Sequence, residues 1–136
     1  MSSENVENLR RCFALANDQG IEAAVAAFRD LIDDEFGLEE AEDMIDRERY
    51  AGREAFIANM RKLEESFDEI RIEPQEFVDL DDRIVVVVSM TALGKGSGAP
   101  VEVTFAQLWS IRDGKAVDLR DYATKSEALE AAGRRE

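Results

Sequence analysis

The stretch Val101-Glu-Val-Thr-Phe-Ala-Gln-Leu-Trp-Ser-Ile-Arg-Asp-Gly-Lys-Ala-Val-Asp-Leu-Arg-Asp-Tyr122 decides the fold. Two runs rich in β-branched, aromatic and leucine residues flank Asp113-Gly114, a pair selected by two-residue hairpin turns because both central positions take positive φ. Side chains two apart share a face of a strand. Val101, Val103, Phe105, Gln107, Trp109 and Ile111 therefore form one set, and Glu102, Thr104, Ala106, Leu108 and Ser110 the other. On the second strand Val117, Leu119 and Asp121 lie opposite Asp118, Arg120 and Tyr122. The first set on each strand is the expected inward face.

Upstream of this hairpin, Ile84 to Val88 is β-branched on both parities, which predicts a central strand covered on both faces. Ile70 and Ile72 alternate with Arg71 and Glu73 before Pro74, and Phe77, Val78 and Leu80 follow it. Pro74 cannot donate to a ladder and predicts an edge or a bulge. Asp81-Asp82 reads as a turn and Gly94 to Pro100 as a loop. Before Phe67 the period changes from 2 to 3.6. Val6, Leu9, Phe13 and Ala16 stripe a helix over Glu4 to Asn17, and Asp18-Gln19-Gly20 breaks it. Ile21, Val25, Phe28 and Ile32 stripe a second helix, and Phe56, Met60, Leu63 and Phe67 a third that ends near Ser66. Between Asp30 and Glu48 acidic residues leave no apolar face, so a loop or a ragged short strand is expected. Thr124 with Glu127 is a capping box for a short closing helix carrying Ala128, Leu129 and Ala132, with Gly133 after it. Helices followed by an antiparallel meander define an α+β fold, with a strongly curved sheet packed on three N-terminal helices.

The chain's 136 residues suffice for one core, hence a single domain over 1–136. It contains no histidine, which excludes Ser-His-Asp hydrolysis, Cys-His chemistry and His-ligated metals. Seventeen basic against thirty-one acidic residues give −14, a charge that repels phosphate backbones and anionic lipid, so neither nucleic acid nor membrane is an expected partner. Cys12 is the only cysteine, so no intramolecular disulfide or Cys-x-x-Cys pair exists. With no export pattern in Met1-Ser-Ser-Glu-Asn-Val-Glu7, the cytoplasm is the expected compartment.

Gln107 and Asp121 are polar groups on the apolar side of the hairpin, where an unpaired polar group costs about 1 to 3 kcal/mol. They need partners, water or a ligand. Asp121 reads either as a carboxylate in apolar surroundings suited to acid or base work, or as a structural group paired to an arginine or to the closing helix. Trp109 reads as core or pocket wall, and Cys12 as a small buried hydrophobe. Gly94-Lys-Gly-Ser97 lacks P-loop spacing and a following helix, so it reads as a hairpin loop. The acidic run has no Asp-x-Asp-x-Asp-Gly pattern and reads as a solvated face. No cofactor or metal signature is present.

In order and spacing, Leu9 to Asp34 with its Asn17-Asp-Gln-Gly20 turn, Tyr50-Ala-Gly-Arg-Glu-Ala55, and Phe105 to Gly114 through Arg120-Asp-Tyr122 resemble the nuclear transport factor 2-like superfamily, in its SnoaL-like branch. The resemblance implies a cone-like α+β barrel around an apolar pocket, often dimeric through the outer sheet face, in a superfamily of enzymes and non-enzymes alike. It places Asp121 where SnoaL-like polyketide cyclases carry their acid-base aspartate. Arg120-Asp-Tyr122 also resembles the limonene epoxide hydrolase motif, but that enzyme's central-strand Arg-x-Asp is replaced here by Val85 to Val88. At the positions of the ketosteroid isomerase tyrosine and protonated aspartate the chain carries Cys12 and Gln107, and that enzyme's base falls near Glu39, so the isomerase triad is not intact.

Asp121 is thus the expected catalytic residue, and Gln107, Trp109, Phe105, Leu119, Cys12, Phe56 and Met60 the expected ligand-binding residues. Proton transfer of the cyclase or isomerase type on a small hydrophobic ligand is expected, or else a non-catalytic ligand-binding or dimerisation module. A homodimer is expected because Thr104, Ala106, Leu108 and Ser110 are too apolar for a face left in water, unless the closing helix or a loop covers them.

Overall fold

A computed structural model describes residues 2–37 and 52–134. Two N-terminal helices, α1 (Ser2–Gln19) and α2 (Ile21–Ala27), are followed by a 3-10 turn over Arg29–Leu31. Helix α3 (Arg53–Glu65) precedes strands β1 (Phe67–Asp79), β2 (Arg83–Gly94), β3 (Pro100–Arg112) and β4 (Lys115–Tyr122), and α4 (Lys125–Arg134) closes the order. Each strand pairs antiparallel with the next, in spatial order β1-β2-β3-β4. The curved sheet is open and, with the helices packed on it, forms the expected cone-like α+β fold. Four strands are too few to close around a filled interior. Instead the free edge of β4 is met by the chain after α2, through a parallel bridge between Ile32 and Ala116.

Pro74 sits on the edge strand β1 at a register shift between Pro74 and Glu76, so its missing N–H falls where the ladder is already interrupted. Ile84, Val85, Val86 and Val88 are fully buried. Ile84, Val86 and Val88 pack inward with Phe13, whereas Val85 packs outward with Ala106, Leu108 and Ala128 of α4. Asp113 and Gly114 both have positive φ, at 55° and 77°. Thr124 Oγ1 accepts the Glu127 N–H at 3.1 Å, and α4 continues through Gly133 to Arg134 instead of stopping before the glycine.

Part of the face on which a second chain is expected is covered by α4, while Thr104 of that set is exposed. Ala106 and Leu108 are buried in the cluster formed with Ala128, Leu129 and Ala132, and Ser110 is buried in the same row of side chains. The apolar character of that face is therefore satisfied within the chain. Among the described residues no helix is long and apolar enough to cross a membrane. Most of the acidic run, including Glu39, lies outside the described residues.

Two polar fastenings set the helices on the sheet. Asn17 acts like a short piece of strand: its Nδ2 donates to Ile72 O at 2.9 Å, and its Oδ1 accepts Ile72 N–H at 2.8 Å. Glu64 of α3 reaches across to the start of α2, accepting Ile21 N–H at 3.0 Å and Glu22 N–H at 2.9 Å. These are two of the donors a helix start leaves unpaired, and Gly20, as N-cap, supplies no side chain for them. Gly20 is at φ 107°, ψ 154°, a region essentially confined to glycine, and a Cβ there would lie 2.5 Å from Glu64 Oε2. Gly20→Ala combines backbone strain with a displaced cap and is expected to cost about 2–4 kcal/mol in chemical denaturation. The Gly20→Ala/Glu64→Ala double variant is expected to lose less than the sum of the singles. Strict additivity would mean that the glycine does not make room for the carboxylate.

Candidate functional site

The concave face of the sheet and the three N-terminal helices enclose a cavity of about 180 Å³. Cys12 and Phe13 of α1, Val25 of α2, and Phe56, Met60 and Leu63 of α3 form one wall. Ile72, Met90, Phe105, Gln107, Trp109, Leu119 and Asp121 form the sheet side. Each wall follows from periodicity: Phe56, Met60 and Leu63 are successive turns of one helical face, and Phe105, Gln107 and Trp109 alternate positions of one strand face. All eight residues expected at the site therefore line one space. An engineered apolar cavity of about 150 Å³ is enough to hold benzene, so this space suits a compact ring system.

Aromatic packing fixes the cavity's floor. Trp109 meets Phe56 edge-on, with ring centroids 6.4 Å apart, and Phe56 lies against the fully buried Phe36 at 4.4 Å. The indole N–H of Trp109 donates to Gln107 Oε1 at 2.9 Å, which satisfies the indole and fixes one end of the amide.

Asp121 departs from expectation. It stands opposite Gln107 in the β3–β4 register and lines the cavity, yet it is exposed. It lies one residue before the end of β4, where the sheet opens to solvent, so the apolar enclosure expected around it is present only on the cavity side. The sequence pattern predicts a last strand over Lys115 to Tyr122, as observed, and parity directs Asp121 toward the cavity, but neither shows its exposure.

Cys12 is partly buried, and desolvation pushes its thiol up from 9.0 to about 11. A neutral thiol in an apolar wall is a packing group, as expected from its sequence setting. Because the folded pKa lies above the unfolded one, the unfolded chain loses its proton first as pH rises, and stability falls between about pH 9 and 11. Relative to Cys12→Ala, the wild-type protein is expected to lose about 2–3 kcal/mol across that interval in pH-dependent denaturation. Parallel curves would mean that the thiol is not desolvated.

Asn5 and Asn8 also line the cavity and are not among the expected site residues. The signal was present: with Cys12 and Ala16 they recur at three and four along α1, on the same face.

The SnoaL-like domain model matches residues 9–119. The chain belongs to this family. The match ends two residues before Asp121. No curated protein matches the SnoaL-like chain. Among solved structures, it is similar to a protein of Jannaschia sp. CCS1 assigned as a SnoaL-like polyketide cyclase, at 22% identity and TM-score 0.70, covering 96% of this chain and 91% of that one. AclR of Streptomyces galilaeus, assigned as a hydroxylase, is 15% identical with TM-score 0.69 over the whole of both chains. TerC, crystallised with polyporic acid, is 19% identical with TM-score 0.63, covering 93% and 95%. At these identities the likenesses establish a shared fold.

Proposed function

We propose that this SnoaL-like domain binds a small ring-bearing, largely apolar ligand in its cavity, and that Asp121 moves a proton to or from it in a cyclase- or isomerase-type reaction. The observation that carries this reading is the pairing of Gln107 with Asp121 across β3 and β4, at one edge of an otherwise mostly apolar cavity. Such a site orients a ligand by its polar group and buries the rest. In this reading the carboxylate at the rim accepts a proton from an acidic C–H beside that group, while the apolar wall holds the ring system. One structural relative assigned as a polyketide cyclase, and another crystallised with polyporic acid, support a cyclic oxygenated ligand.

The exposure of Asp121 favours a second reading, a binding module in which the rim carboxylate only orients the ligand. Deuterium incorporation at the α-carbons of 2-indanone, followed by NMR in D₂O, separates the two. Exchange accelerated above a buffer control, in proportion to protein concentration, supports proton transfer. Binding without acceleration selects the module.

A further inference from the structure

A glutamine in a cavity can present either its carbonyl oxygen or its amide nitrogen to a ligand, and ordinarily turns to suit. At Gln107 that freedom is removed. The group on its Oε1 is the Trp109 indole, which is a donor only, so reversing the amide would set N–H against N–H. The remaining end, Nε2 with its two hydrogens, makes no hydrogen bond among the described residues. Nor is it sealed away, because Arg53 Nε is the one side-chain nitrogen or oxygen among them that is both buried and without a hydrogen-bond partner. Its cross-strand neighbours on this face are Val86, which is apolar and fully buried, and Asp121 at the rim.

We infer that Trp109 and Gln107 act as a unit that makes the cavity selective for ligands carrying a hydrogen-bond acceptor, a ketone or quinone oxygen, at the Gln107 position. Gln107 is the specificity-determining donor, and Trp109 is the positioning residue that keeps the donor end turned toward the ligand. This inference rests on the cavity being the ligand site. It adds a commitment about the ligand: an oxygen that accepts, on a ring system small enough for about 180 Å³, oriented with the carbon beside that oxygen near Asp121.

The test compares 2-indanone with indane, which share a ring frame and differ in the oxygen. Affinities of the wild-type protein are measured by calorimetry against Gln107→Met, which removes the donor at similar length, Gln107→Glu, which keeps an acceptor for the indole but has no amide donor, and Trp109→Phe, which frees the amide to turn. The readout is the ratio of the two affinities within each protein, so a general loosening of the cavity cancels. Both Gln107 variants are expected to lower the ketone's advantage about tenfold, the change expected from one hydrogen bond worth about 1.4 kcal/mol. Trp109→Phe is expected to lower it several-fold, with Gln107 still in place. The carbonyl stretch of bound 2-indanone should lie at lower wavenumber in the wild type than in Gln107→Met, a difference that a purely structural role for Gln107 would not produce. An unchanged ratio and an unchanged carbonyl band in the Gln107 variants, with both compounds bound, would overturn this inference and leave the cavity reading intact. If neither compound bound the wild-type protein, the cavity reading would fall, and the inference with it.

Discussion

Phe36→Ala is expected to cost about 3–5 kcal/mol, enough to unfold a domain of ordinary marginal stability under mild conditions. Phe36 is fully buried and packs against Phe56, the residue that in turn meets Trp109 on the cavity floor. The backbone around it is tied on two sides. Asp33 N–H donates to Ala116 O at 2.9 Å and Gly37 N–H to Val117 O at 2.8 Å, which lays the segment along β4. Gly52 N–H donates to Phe36 O at 2.6 Å, while Arg53 Nη1 donates to Ile32 O at 3.2 Å and Nη2 pairs with Asp34 at 2.5 Å, which joins it to the start of α3. A segment held this way cannot collapse into the space an alanine would leave, so most of the cavity penalty remains. Val103→Ala, on an exposed valine of β3, is the control and should change stability by no more than about 0.5 kcal/mol. A loss below about 1 kcal/mol for Phe36→Ala in urea denaturation would show that residues 32–37 do not pack beneath the site.

Asp121→Asn is expected to reduce protein-accelerated exchange of 2-indanone by about 10²-fold or more, the usual contribution of a positioned general base. The asparagine keeps shape and polarity but has no basic oxygen, so ligand affinity should stay within a few-fold. The exposed position of Asp121 near the end of β4 also predicts little change in stability, since substitutions at exposed positions usually change it by no more than about 0.5 kcal/mol. Loss of exchange together with intact binding and intact folding assigns the proton transfer to this carboxylate. Exchange that persists in Asp121→Asn would move the chemistry elsewhere in the cavity.

Much of this architecture is legible in the chain because local chemistry and tertiary structure agree. Asp113-Gly114 could hardly be anything but a tight turn, and its two positive φ angles show why. The run Ile84 to Val88 carries branched residues on both parities because α4 covers one face and α1 the other. Where local signals and tertiary pairing compete, the pattern misleads. Ile21, Val25, Phe28 and Ile32 keep a helical period, yet α2 stops at Ala27 and Ile32 is extended at φ −108°, ψ 122°, because its backbone pairs with Ala116. Periodicity records which side chains are buried, and Ile32 is buried in either conformation. The apolar outer set of β3 calls for a cover of some kind, and α4 of the same chain lies over Ala106 and Leu108, one of the alternatives its sequence leaves open.

The site shows the same division. Alternation along β3 and β4 directs Phe105, Gln107, Trp109, Leu119 and Asp121 to one side, and helical spacing directs Cys12, Phe56 and Met60 toward them. The bond from Trp109 to Gln107 joins positions two apart on one strand face, so its possibility is written in the sequence, but its direction is fixed only by the placed side chains. The exposure of Asp121 depends on its place at the rim of the cavity, which no periodicity encodes.

The most direct measurement is a crystal structure of the protein with 2-indanone bound. The ring system is expected inside the cavity against Phe56 and Trp109, with its oxygen within hydrogen-bonding distance of Gln107 Nε2 and an α-carbon facing Asp121. Ligand density outside this cavity, or an oxygen directed away from Gln107 toward the apolar wall, would contradict it.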